Sequence, residues 1–155
     1  METVSVPADT AALALRLALA TVLGAAVGLN REMSLKPAGL RTHALVSLGA
    51  ALLTYVGLQF GRPTGDMSAA SRVVQGMVAG IGFIGGGVIL HRAGSRPVHG
   101  LTTAASIWIV AATGIAVGAG LWEAATIAIV LTLAVLTIGH SIDNALHKAG
   151  GRDRD

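Results

Sequence analysis

Charged residues are scarce in this chain, and their scarcity argues against a soluble domain. Only 12% of its 155 residues are Asp, Glu, Lys or Arg, whereas 53% are hydrophobic. Soluble domains carry about 25% charged residues, and a chain this short exposes much of its surface. Because so few charges are available to cover that surface, we expect residues 1–155 to fold as one domain inside a lipid bilayer.

Cysteine is absent and aromatic residues are few. The lack of cysteine excludes disulfide bonds and thiolate metal sites. Aromatic rings, which supply much of the buried area of soluble cores, make up 3% of the residues, and 21 glycines are present. Small residues allow transmembrane helices to approach closely, so this composition again favours a membrane protein.

Five apolar runs are each close to the roughly 20 residues that a helix needs to cross the bilayer. They predict an all-α fold, a compact bundle of five transmembrane helices, followed by a short charged tail at residues 147–155. The predicted spans are residues 10–29, 43–60, 73–90, 102–119 and 122–139.

The basic residues predict the topology. They lie between the apolar runs rather than in one stripe, which argues against nucleic-acid binding. The positive-inside rule places the N-terminus outside and the C-terminus in the cytoplasm. Eight basic residues then share the cytoplasmic side: Arg31, Lys36, Arg41, Arg92, Arg96, Lys148, Arg152 and Arg154.

Glycines recur at spacings that place them on one helix face. Gly80, Gly82 and Gly85 spell G-x-G-x-x-G, but they lie inside an apolar run and no acid follows at the spacing that nucleotide binding requires. The G-x-x-x-G spacing instead favours helix packing. We expect packing within the chain around a central third helix, with a dimer seam as the alternative. The pairs are Gly24 and Gly28, Gly76 and Gly80, Gly82 and Gly86, and Gly114 and Gly118.

The richest polar segment follows the first helix. Its basic residues fit two interpretations: a solvated loop that serves as a topology signal, or a polar cluster that reaches into the bundle, where ionisable groups are functional candidates. The residues alone leave both open. The segment contains Asn30, Arg31, Glu32, Lys36, Arg41 and Thr42.

The fourth helix begins with hydroxyl residues on the same side. Thr102 or Thr103 is expected to cap the helix by accepting from its free N–H groups. A helix N-terminus also attracts anions, and Glu32 is the expected partner. The cap is the favoured interpretation, and a ligand site is the alternative.

The sequence offers little support for an enzyme or a cofactor. No nucleophile, base and orienting group share a helical spacing. The spacing of four residues near the C-terminus suits a metal, although the solvated end of a helix is the favoured interpretation. These residues are His140, Asp143, Asn144 and His147.

No acid lies near the centre of any predicted span, whereas cation pathways usually have one. A single subunit is therefore poorly suited to carry Mg²⁺, which is bound through carboxylates. A path lined by hydroxyls stays open as an alternative, through Thr54, Ser106 and Thr113.

Five stretches, in this order, resemble the MgtC/SapB family of bacterial inner-membrane proteins. The resemblance covers about residues 12–140. The stretches are GLNRE at 28–32, KPAGLRTHALV at 36–46, RVVQG at 72–76, GIGFIGGG at 80–87 and GLTTAASIW at 100–108.

The resemblance implies a multi-pass protein with a role in magnesium limitation and, in pathogens, virulence. It also implies regulation of another membrane complex, such as the F-type ATP synthase; the alternative is an oligomeric transporter of Mg²⁺ or another small solute. A homodimer is expected either way. The family's polar signature falls on Arg31, Glu32, Lys36, Arg41, Thr42, Arg72, Thr102 and Thr103.

The chain departs from the family's pattern in two ways. Asn30 stands where an acid is usual, which weakens a cation site. Larger members also append a soluble cytoplasmic domain, which is not expected here.

Overall fold

The structure is a computed structural model that describes residues 10–62, 65–90 and 100–150, except the side chains of 90, 140, 141 and 143–150. The bundle predicted from the apolar runs is confirmed, because all five helices are long and apolar enough to cross a membrane. The helices are α1 (Thr10–Met33), α2 (Leu40–Gly61), α3 (Ser68–Leu90), α4 (Leu101–Gly118) and α5 (Trp122–Gly150).

Two helices, α2 and α4, form the centre of the bundle. α4 packs against each of the other four helices, and α2 packs against α1, α3 and α4. The core between them is built from small and branched side chains: Ile107, Val110 and Val27 are fully buried. α5 continues to Gly150, so its backbone includes the first residues of the predicted charged tail, and residues 151–155 lie outside the described part.

Glycine pairs hold α2 on two sides. A Cβ added to Gly24 of α1 would lie 2.5 Å from the His43 carbonyl oxygen and 2.7 Å from Ser47 Cβ. A Cβ added to Gly114 or Gly118 of α4 would meet the α2 backbone in the same way. Because backbones approach this closely only where a side chain is missing, these two G-x-x-x-G pairs fix the α1–α2 and α2–α4 contacts.

The expectation of a central α3 is wrong. Only 6% of the residues in its most apolar stretch are buried, against 50% in α4. α3 does contact α2 and α4, but through Gly85 near Ala104 and through Val73 near Gly57. Its two G-x-x-x-G pairs have no described heavy atom within 4 Å of their added Cβ atoms: Gly76, Gly80, Gly82 and Gly86.

The C-terminal ends of α1 and α4 are closed by backbone motifs. At the end of α1, Lys36 N–H donates to the Arg31 carbonyl at 3.0 Å, and Leu35 has a left-handed φ of 54°. The end of α4 repeats this arrangement with Gly120 at φ 86°. Both are Schellman motifs, and the first one turns the chain directly into the start of α2.

Candidate functional site

Glu32 closes the turn between α1 and α2. Its Oε2 accepts from the Leu40 N–H at 2.9 Å, which satisfies an otherwise free donor at the start of α2. Gly39 lies so close that a Cβ there would be 2.7 Å from the same oxygen. The expectation that Glu32 partners the start of α4 is therefore wrong, since its carboxylate caps a different helix.

Arg31 is buried at the interface of α1 and α4. The side chain is 6% exposed, and its Nη2 donates to Thr103 Oγ1 at 2.6 Å. Its Nε has no hydrogen-bond partner, and no carboxylate of the described residues pairs with it. The negative end of the α1 dipole lies beside it and partly offsets the charge, so the hypothesis of a polar cluster that reaches into the bundle describes Arg31 well.

His43 links α2 to α4 one turn further into the bundle. The ring is fully buried, with Nδ1 3.0 Å from the Gly39 carbonyl oxygen and Nε2 3.0 Å from Ser106 Oγ. A carbonyl only accepts, so Nδ1 carries a hydrogen. Ser106 Oγ also donates to the Thr103 carbonyl oxygen at 2.8 Å. Because this hydroxyl has a single hydrogen, it cannot donate fully to both that oxygen and His43 Nε2.

These contacts form one buried polar network. Arg31 and Thr103 join α1 to α4, and His43 and Ser106 join α2 to α4. Ser47, one turn below His43, adds a buried hydroxyl whose Oγ has no partner. The ionisable groups of this network are basic, because the carboxylates of the described residues lie at exposed positions outside the network.

The other predicted members of the cluster lie outside this network. Lys36 and Arg41 are exposed, and Thr42 is half-buried. Asn30 is half-buried, and its carbonyl accepts from the Ser34 side chain at 2.9 Å. Arg72, a functional candidate as part of the family's polar signature, lies at the opposite end of the bundle and donates there to Ser68 Oγ at 3.0 Å, so it does not belong to this cluster.

The start of α4 has no side-chain cap. Its N-cap residue is Gly100 at φ 91°, and no side chain of the described residues bonds the free N–H groups there. Thr102 is exposed, whereas the Thr103 hydroxyl accepts from Arg31. The predicted threonine cap is therefore wrong, because neither hydroxyl bonds the first N–H groups of α4 and that of Thr103 accepts from Arg31 instead.

Sequence reasoning missed His43 and Ser47 as members of the site. Both lie in or next to the KPAGLRTHALV motif, and their spacing of four residues places them on one face of α2. The hydroxyl path is not supported, since Thr54 and Thr113 donate to carbonyls of their own helices.

No metal-binding group of three or more His, Cys, Asp or Glu is found among the described residues. The side chains of the predicted C-terminal group lie outside them: His140, Asp143, Asn144 and His147.

The chain matches the model of the MgtC family over residues 17–145. Protein SrpB of Synechococcus elongatus is 47% identical over 83% of this chain and 75% of its own. "Putative magnesium transporter YhiD" of Escherichia coli is 39% identical over 86% of this chain and 63% of its own. Protein MgtC of Brucella abortus is 42% identical over 77% of this chain and 48% of its own.

The chain thus spans between 48% and 75% of the length of these three relatives. No solved structure matches it. The family match extends from α1 to α5 and includes every residue of the buried polar network. Together with the five apolar helices, it establishes that this multi-pass membrane protein belongs to the MgtC family.

Proposed function

We propose that this chain is an inner-membrane regulator of magnesium-limitation homeostasis that binds another membrane complex, such as the F-type ATP synthase. The observation that supports this most is the exposed face of α3, formed by Gly76, Gly80 and Phe83. Both glycines lack a neighbour among the described residues, and Phe83 is 86% exposed. Small residues beside a bulky one form a surface that a second helix can pack against.

The basic character of the polar network also favours regulation over cation transport. Among the side chains that the structure describes, Glu32, Asp66 and Glu123 are all exposed, and the buried ionisable residues are Arg31 and His43. A Mg²⁺ path through one subunit would need oxygen ligands, with carboxylates among them. A protein that acts through its outer face has no such requirement.

Photo-crosslinking in magnesium-limited cells tests the proposal. With the photoreactive residue at Phe83, we expect capture of an ATP synthase subunit, identified by mass spectrometry. The matched control position is Val135 on α5, which is also well exposed, at 71%, and should capture no such subunit. Equal capture at both positions, or none at Phe83 from a stable protein, would rule the α3 face out.

Glycine substitutions provide the second arm of this experiment. Gly76→Leu combined with Gly80→Leu fills the α3 face and should abolish capture at Phe83. Gly139→Leu on α5 is the matched control, because Gly139 also has no described neighbour within 4 Å. If the double variant kept full capture at Phe83, the partner would not pack against Gly76 and Gly80. Capture of a second copy alone at Phe83 would assign this face to a homodimer.

A second candidate function is the transport of Mg²⁺ or another small solute by an oligomer. The name of the YhiD relative favours it, as does a polar network buried in the interior of the bundle. The test is to measure Mg²⁺ and monovalent-cation flux into proteoliposomes that contain the purified protein. Glu32→Gln is the control variant, because it alters only the carboxylate that caps the start of α2. Absence of flux from folded protein, across Mg²⁺ and monovalent cations, would count against this function.

A further inference from the structure

We propose that the start of α4 and the cleft between α4 and α5 form a binding site for one anionic phospholipid. The phosphate lies at the free N–H groups of α4 above Arg31, and an acyl chain lies in the cleft. This site is separate from the α3 face, so it does not depend on the proposed function.

The headgroup end of the site combines three donors. A helix N-terminus without a side-chain cap presents free N–H groups and a partial positive charge, and α4 has no such cap. The hydroxyl of Thr102 is exposed beside it. Arg31, 94% buried by its 6% exposure, reaches this first turn through Thr103 and carries an unpartnered Nε and an unpaired charge.

The cleft has the dimensions of the acyl-chain region of one lipid. Its volume is about 670 Å³, and it begins at Thr102 and Ser106 and continues along Trp108, Ile109 and Leu131. From Thr102 to Ile109 the helix rises about 10 Å, which is within the roughly 15 Å half-thickness of the hydrocarbon core. The cleft is therefore short enough to lie within a single leaflet, with Thr102 and Ser106 at its headgroup end and Thr132 on its α5 wall.

A second cleft of similar size lacks this polar end. It lies between α2 and α3, has a volume of about 650 Å³, and is lined only by apolar residues, among them Leu53, Met77 and Ile84. Any lipid chain fits such a cleft, but no group there selects a charged headgroup. The contrast assigns headgroup selection to the α4–α5 cleft and supplies an internal control.

Trp108 is a reporter inside the proposed site. It lines the cleft and is 48% exposed, and the chain has two tryptophans. In a Trp122→Phe background it becomes the sole tryptophan. In phosphatidylcholine vesicles, chain-brominated phosphatidylglycerol should quench Trp108 with a relative binding constant about tenfold above that of brominated phosphatidylcholine. Equal constants for the two lipids would overturn the proposal.

Variants separate the headgroup from the chain. Arg31→Gln should bring the ratio of the phosphatidylglycerol to the phosphatidylcholine binding constant close to one. Thr102→Val, at an exposed position that folding does not need, should lower this ratio severalfold. Ala105→Phe fills the cleft and should abolish the preference, whereas Gly49→Phe in the α2–α3 cleft should leave it unchanged. A preference that survived both Arg31→Gln and Thr102→Val in folded protein would contradict the site.

Inorganic phosphate distinguishes a lipid headgroup from a free anion. Because the acyl chain contributes binding in the cleft, excess phosphate should leave the phosphatidylglycerol preference intact. Loss of the preference on adding phosphate, at constant ionic strength, would assign the site to the free anion and overturn the lipid proposal. Circular dichroism of each variant confirms that the helices are retained.

Discussion

α2 and α3 each contain three alanines, and they contain three and six glycines respectively, yet the two helices occupy opposite environments. α2 is packed between Gly24 of α1 and Gly114 of α4, with no room for a single additional carbon. The corresponding glycines of α3, Gly76 and Gly80, have open space around them. A G-x-x-x-G pair therefore shows that a helix can be approached closely, but not that a helix of the same chain does so.

The two helices also differ in their polar side chains. In α2, His43 and Ser47 face inward and are fully buried. The polar side chains of α3 lie near its start and bond within the helix, as Arg72 does to Ser68. α2 is thus held by both packing and hydrogen bonds, whereas the exposed face of α3 is free to take part in contacts with lipid or another protein.

The largest difference between the helices should come from glycine substitutions. Gly24→Ala places a carbon 2.5 Å from the His43 carbonyl oxygen and should lower the free energy of unfolding by about 1–3 kcal/mol or more. The added methyl group of Gly80→Ala has no neighbour within 4 Å, so the free energy of unfolding should stay the same or rise by up to about 1 kcal/mol. Unfolding by SDS in mixed micelles measures both. Equal losses would mean that α3 packs more tightly than described.

The next effect concerns two adjacent threonines of α4. Thr103→Val removes the acceptor of Arg31 Nη2 and leaves a buried donor unpaired, at a cost of about 1–3 kcal/mol. Thr102→Val alters an exposed side chain and should change the unfolding free energy by less than about 0.5 kcal/mol. The same SDS titration compares them. If Thr103→Val proved as mild as Thr102→Val, the Arg31 contact would not contribute to stability.

A smaller effect distinguishes two buried serines. Ser106→Ala removes the partner of His43 Nε2 and should cost about 1–2 kcal/mol. Ser47→Ala removes a hydroxyl that has no partner, so stability should stay the same or rise by up to about 1 kcal/mol. Thermal unfolding in detergent measures the pair, and a loss of stability in Ser47→Ala would show that its Oγ is bonded.

The smallest effect is a pH dependence at the start of α3. The Ser68 hydroxyl and N–H donate to Asp66, and together with Arg72 they hold the pKa of this carboxyl below its usual value of 3.8. The contribution of Asp66 is therefore complete above about pH 4 and is lost as the pH falls through the lower, folded-state pKa. The protection factors of the first α3 amides, which are measured against the intrinsic exchange rate at each pH, should fall there, but not in Asp66→Asn. Protection factors that stay constant with pH in both proteins would refute this.

The sequence determined the class of fold, the number of helices and the location of the site. Apolar runs of bilayer length and few charges leave only a helical bundle, since unpaired backbone groups are too costly in lipid. The motifs around Asn30–His43 and Leu101–Ser106 also identified Arg31 and Thr103, because a charged residue or a pair of hydroxyl residues beside an apolar run stands out in a sequence.

Only the tertiary structure decided which residues meet. Helical periodicity predicts the same packing role for Gly24 and Gly80, although only Gly24 contacts another helix. It also does not distinguish Glu32, which caps α2 at the surface, from Arg31, which is buried against α4. His43 was no candidate until α4 placed Ser106 against its ring. The physical reason is that a sequence specifies the faces of each helix, whereas the pairing of faces depends on how all five helices pack at once.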